Sequence, residues 1–259
     1  MNLKQRLDHH YKVFDKSRLS PDPLQFPHRY DKPPDIEAMA IISAVFAYGN
    51  VNQIINTLEK IRLAADDEPH NFIIKFNSSS IKKLNGIKHR FFTNEDIVYF
   101  FRTLQAIYEK HNSLKNFFYK FYNSSDENLK NSITGFSSGF YRHLKSVSRR
   151  DQISPGLKFM LPLPELGSAC KRTNLFLRWM VRKDQLDFGL WNDIPASKLI
   201  IPVDTHVARI SMKLKLTKRK NVSWKMAEEI TNNLKQFDAN DPVKYDFAIC
   251  HLGMRKIKF

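Results

Sequence analysis

Apolar residues recur at intervals of three and four along most of this chain, and no run alternates in the manner of a half-buried strand. Ile36 to Ala47 (IEAMAIISAVFA) and Val51 to Ala65 carry the helical spacing, divided at Tyr48-Gly49-Asn50, where a glycine supplies backbone angles that other residues resist. Thr93, with an acid three residues on, opens an amphipathic run through Glu109 in the manner of a capping box. Further helical patterns cover Ser113 to Tyr122, Asp126 to Leu144, Cys170 to Val181, Ser223 to Leu234 and, behind the helix-opening Asp241-Pro242, Val243 to Leu252. Leu19 to Pro34, rich in proline, and Ser148 to Pro164 read as loops. The second divides the helices into approximate lobes, 36–150 and 151–259, of one unit spanning 1–259, so the expected fold class is all-α.

Composition narrows the setting. With 259 residues, 42% hydrophobic and 12% aromatic, the chain can fill a sizeable core. A formal charge of +16 points to a polyanionic partner, nucleic acid first and an anionic membrane surface second. Basic residues gather in KLKLTKRKNVSWK, Lys213 to Lys225, and in the closing RKIKF; these stretches are candidates for phosphate contacts, although a charge run is more often a solvated face. No apolar run reaches the roughly 18 residues of a membrane span, and MNLKQRLDHHYKVF lacks the apolar core of a signal peptide, so the expectation is a cytoplasmic protein. Cys170 and Cys250 cannot alone hold a four-thiolate cluster, and the nine histidines show no local metal-ligand spacing. Neither a metal nor another cofactor is expected.

Two short stretches carry candidate chemistry. In LPLPELGSACKRTNLFLRWMVR, Leu161 to Arg182, a turn around Gly167 leads into a helix with Lys171 in or near its first turn. A positive charge there opposes the helix macrodipole and favours the free amine. From position alone, a solvated or phosphate-contacting lysine is the commoner outcome. In IPVDTHVARI, Ile201 to Ile210, Asp204 precedes a helical run, and position alone leaves it a helix cap, a metal ligand or a catalytic carboxylate.

Taken together, Gly167, Lys171 and Asn174, followed 33 positions after the lysine by Val203-Asp204-Thr205-His206 and Arg209, resemble the helix-hairpin-helix (HhH-GPD) DNA glycosylase superfamily, which includes endonuclease III and the 8-oxoguanine glycosylases. The lysine-to-aspartate interval looks more like that of the archaeal 8-oxoguanine glycosylases. GSACKRTNLFLRWMVR, IIPVDTHVARI and DPVKYDFAICHLG are similar to a bacterial family, domain of unknown function 2400, within or beside that superfamily. The second hairpin glycine is replaced by Ala169, and the cysteine loop of endonuclease III is absent.

The resemblance implies a two-lobed helical fold with its active site in the cleft between lobes. It also implies a bifunctional DNA glycosylase and AP lyase, acting on an oxidised base, most simply 8-oxoguanine. Lys171 would be the Schiff-base nucleophile and Asp204 the carboxylate that stabilises charge on the deoxyribose. Hairpin amides at Gly167, Ser168 and Ala169 would hold a phosphate, with Arg209 also on the DNA. Asn50 would lie near the lesion strand, and Tyr48, Asp246 and Phe247 would line a pocket for the extruded base. His206 reads as structural. The partner would be damaged double-stranded DNA, bound by a monomer at the nucleoid; a non-catalytic DNA-binding protein on the same scaffold is the alternative.

Overall fold

The computed structural model describes residues 2–13, 15–149 and 152–254. In chain order its helices are α1 (Leu3–Val13), α2 (Pro33–Phe46), α3 (Val51–Ala64), α4 (Pro69–Ile74), α5 (Ser78–Lys83), α6 (Asn94–His111), α7 (Leu114–Tyr119), α8 (Lys130–Ser148), α9 (Pro155–Met160), α10 (Lys171–Val181), α11 (Thr205–Lys213), α12 (Trp224–Lys235) and α13 (Asp246–Met254). Short 3-10 turns join several of them, and no strand occurs among the described residues. The chain is all-helical. It forms two units: one of residues 19–124 and 131–162, the other of residues 1–18, 125–130 and 163–259.

The first unit is built around α2. Every residue of α2 from Ile36 to Phe46 is buried, the signature of a helix that is apolar all round and surrounded on all sides. α3, α4 and two 3-10 turns pack on it. Glu37 is the charged exception, and its carboxylate accepts from Tyr108 Oη (3.1 Å) and from the backbone N–H groups of Leu114 (2.9 Å) and Lys115 (3.1 Å). A buried acid thus satisfies the unpaired amides that open α7. The box at the start of α6 is as the sequence expects: Thr93 Oγ1 accepts from Asp96 N (3.1 Å), and Asp96 Oδ2 from Thr93 N (2.9 Å).

The stretch expected as a loop from Ser148 to Pro164 contains α9. Ser154 caps it by accepting from Leu157 N (3.1 Å), Pro155 sits in the first turn, and Ser154 Oγ donates to Asp96 Oδ1 at 2.5 Å. Gly156 leaves room there, because a Cβ would lie 2.5 Å from Asp96 Oδ2. The proline and glycine that suggest a loop are the residues that let this short helix start close against α6.

In the second unit, α11 packs on α13, α12 on the 3-10 turn Pro242–Tyr245, and α1 on both α13 and that turn. Pro242 opens the 3-10 turn, and α13 starts only at Asp246. Tyr245 Oη donates to Asp8 at 2.7 Å and Tyr11 Oη to Asp184 at 3.1 Å, so α1 is tied to this unit by two phenols.

Candidate active site

The helix α11 is positioned by the apolar run before it. Ile200, Ile201 and Val203 are buried, and Ile201 N donates to Thr231 Oγ1 of α12 at 3.0 Å. The chain then turns at Asp204, whose extended backbone and side chain make it the N-cap of α11. Its Oδ1 accepts from His206 N (2.8 Å) and Val207 N (2.9 Å), two of the donors that open any helix. The other oxygen, Oδ2, lies 3.0 Å from Lys171 Nζ. Burial opposes ionisation of Asp204, but the Lys171 charge and the Val207 N–H outweigh it, so the carboxyl is held below its ordinary range.

Lys171 reaches that point because it is the first residue of α10. Ahead of it, Pro164–Leu166 form a 3-10 turn, Gly167 takes a left-handed conformation (φ +84°) and donates to Pro164 O (3.0 Å), and Cys170 is left-handed as well (φ +48°). Left-handed backbone is ordinary for glycine and uncommon for cysteine. Two contacts brace the turn: Asn174 Nδ2 donates to Ala169 O (3.0 Å), and Trp224 N, at the start of α12, donates to Gly167 O (3.1 Å). Gly167 is exposed, Ser168 half-buried and Ala169 buried, and Leu166 beside them is 82% exposed. Burial pushes the Cys170 thiol up to about 12, so it stays protonated near neutral pH.

The lysine and the carboxylate are both partly accessible, with 32% and 22% of their side chains exposed. An amine beside a carboxylate fixed by two backbone amides can attack an electrophilic carbon once it has given up its proton, and the carboxylate can stabilise positive charge that develops alongside. Arg209 lies exposed one turn further along α11. The basic stretch between α11 and α12 presents Lys213, Lys215, Lys218, Arg219, Lys220 and Lys225 to solvent, while Leu216 and Trp224 are buried. Arg219 pairs with Glu229 at 2.8 Å. The terminal RKIKF lies outside the described residues.

Asp246 and Phe247 are buried at the start of α13. Asp246 Oδ2 accepts from Arg178 Nη1 at 2.6 Å, and Arg178 Nε reaches Asp187 Oδ2 at 3.2 Å. Arg182, one turn along α10, also pairs with Asp187 and contacts Asp184 (2.9 Å) and Asp241 (2.8 Å). Four carboxylates thus surround two guanidiniums. Burial raises Asp246 to about 6 against the pull of Arg178, and the nearby Asp204 charge adds to the rise. Arg178, Arg182 and Asp187 do not emerge from the sequence as functional residues, since Asp241 and Asp246, which complete the network, lie 59 and 68 positions away. The signal available was an arginine recurring at i and i+4 on the buried face of an amphipathic helix.

Tyr48 and Asn50 belong to the other unit. Asn50 is exposed and caps α3 by accepting from Asn52 N at 2.9 Å. Half-buried Tyr48 packs edge-on to Phe159 (4.6 Å between rings), with Arg90 over its face (4.6 Å) and Phe91 beside it (5.9 Å). Its carbonyl oxygen lies 2.9 Å from His89 Nε2. Gly49 between them has φ +108°, and a Cβ there would lie 2.5 Å from Arg90 Cδ. Phe91, 58% exposed, and Arg90 are the residues of this surface that helical periodicity does not single out.

The family model described as "Protein of unknown function (DUF2400)" matches residues 22–255, and the chain belongs to that family. No curated protein and no solved structure matches it.

Proposed function

From the resemblance of the Gly167–Asn174 and Val203–Arg209 motifs and the contact between Lys171 and Asp204, we propose that the protein is a DNA base-excision glycosylase with AP lyase activity. The reading takes the chain as a helix-hairpin-helix glycosylase fold, with the turn at Gly167 as its hairpin. The single observation that supports it best is that an amine and a carboxylate 33 positions apart come within 3.0 Å, the carboxylate already held by helix amides.

In the proposed reaction a damaged nucleotide, most simply one bearing 8-oxoguanine, is extruded from the duplex at a cost of a few kcal/mol. As the N-glycosidic bond breaks, positive charge grows on the deoxyribose and Asp204 stabilises it. Lys171 gives its ammonium proton to solvent, and the neutral amine attacks the anomeric carbon as the base leaves with the bonding electron pair and takes up a proton from water. Ring opening gives a Schiff base, and loss of a proton from the adjacent carbon expels the 3′ phosphate by β-elimination. The turn at exposed Gly167 and half-buried Ser168, together with Arg209 and the lysines of 213–225, would hold the phosphates. Tyr48 is the proposed pocket contact and Asn50 the one near the lesion strand; Asp246 and Phe247, both buried, would back the base pocket from within α13.

The test is strand scission on duplexes carrying 8-oxoguanine, uracil, thymine glycol, hypoxanthine or an abasic site. Release on one lesion, abolished in Lys171→Gln, supports the reading. Binding without release or scission on any of them favours a non-catalytic DNA-binding protein.

A further inference from the structure

A cavity of about 380 Å³ opens in the first unit among the end of α6, the turn after α7 and the middle of α8. Its polar lining is Lys110, His111, Lys120, Arg142, His143 and Ser146, and no carboxylate lines it. Glu109, next to Lys110, is exposed and does not contribute. The imidazoles of His111 and His143 meet edge to face with centroids 5.5 Å apart. After burial, the groups that hold His111 below the ordinary histidine range are Lys120, His143 and Lys110; for His143 they are Lys110, Arg142 and Lys120. Lys110, Lys120 and Arg142 are permanent cations, and they keep the buried His111 and half-buried His143 in their neutral form near neutral pH.

The apolar wall is built with equal care. His111 stacks on Phe117 (5.0 Å, 29°), and Phe117 meets Phe121 at 5.5 Å. These rings lie against α8 only because positions 135 and 139 are glycines. A Cβ at Gly135 would come within 2.6 Å of the Phe121 ring, and one at Gly139 within 2.8 Å of Phe117.

We propose that this cavity binds a phosphate monoester. Three permanent cations and two imidazoles match a dianionic group with three acceptor oxygens better than a singly charged backbone diester. Its volume is that of a small-ligand pocket and exceeds what phosphate alone would fill, leaving space for a sugar against the Phe121 ring. Two sources share this chemistry, a free mononucleotide and the 5′-phosphate end of a DNA strand. The site does not depend on the roles assigned to Lys171 and Asp204.

The test is calorimetric titration and thermal shift of the full chain at fixed ionic strength. The probes are inorganic phosphate, adenosine 5′-monophosphate, adenosine, and one short oligonucleotide with either a 5′-phosphate or a 5′-hydroxyl. The phosphorylated member of at least one pair should bind about tenfold more tightly. The advantage should vanish in Lys120→Gln/Arg142→Gln, both exposed positions, and largely persist in Arg142→Lys, with the ligand-free melting temperature unchanged in each. An advantage for the nucleotide alone identifies a free nucleotide, and one for the oligonucleotide a strand end. Equal binding within both pairs, or an advantage that survives in the double variant, would overturn the proposal.

Discussion

Asp204 divides two tasks between its two oxygens, one holding the first amides of α11 and the other facing Lys171. Asparagine caps a helix about as well as aspartate, so Asp204→Asn should cost about 1 kcal/mol or less in stability while abolishing base release. Unchanged release on the lesion that the wild type processes would refute the assignment. The carboxyl also predicts an acid limb. Its folded-state pKa lies below the unfolded value of about 3.9, so its contribution is present above that pH and is lost as pH falls through the folded value. Melting temperatures taken between pH 5 and pH 2.5 should therefore fall less steeply in Asp204→Asn than in the wild type. At Gly49 the constraint is backbone: φ is +108°, and an added Cβ would meet Arg90 Cδ at 2.5 Å. Gly49→Ala should therefore destabilise by about 1 kcal/mol or more in denaturant unfolding.

At the scale of elements, α10 carries a nucleophile candidate at its first residue and two buried arginines at its C-terminal end. Replacing Arg178 with methionine would leave Asp246 buried without its guanidinium and Asp187 with Arg182 alone. Breaking such a network typically costs about 3–5 kcal/mol, so Arg178→Met should lower the urea midpoint sharply. Asp246 behaves oppositely to Asp204. With a folded pKa raised to about 6, the native state binds the extra proton, and this group's contribution weakens as pH rises from about 4 through 6. The long helices α2, α3, α6 and α8 were legible from spacing, and the caps at Thr93 and Asp204 from single residues. α4, α5 and α9 were not, because six residues hold less than two turns of periodicity and their starts are marked by proline, serine and asparagine, which serve turns equally well; α7, as short, was legible because Leu114, Phe117 and Phe118 stand at helical spacing. The pairs of Arg178 are hidden for another reason: they lie 9 and 68 positions away, and no local pattern encodes them.

For the molecule as a whole, the charge of +16 makes a prediction of its own. If the partner is DNA, log affinity should fall linearly with log salt concentration, and neutralising Lys218 and Lys220 should flatten that slope without altering lesion preference. A slope of zero would remove the electrostatic argument for a polyanion. Lys171 and Asp204 were legible as a pair only through motif order, since neither position singles out its residue; what folding adds is their 3.0 Å approach. Under the proposed function Lys171 is the Schiff-base nucleophile and Asp204 the carboxylate beside it. The direct measurement is to incubate the protein with lesion-bearing and abasic duplexes, reduce with borohydride, and map any covalent adduct by mass spectrometry. The expected result is an adduct on the peptide containing Lys171 that disappears in Lys171→Gln; no adduct on any substrate, or one that persists in Lys171→Gln, would rule out Lys171 as the nucleophile.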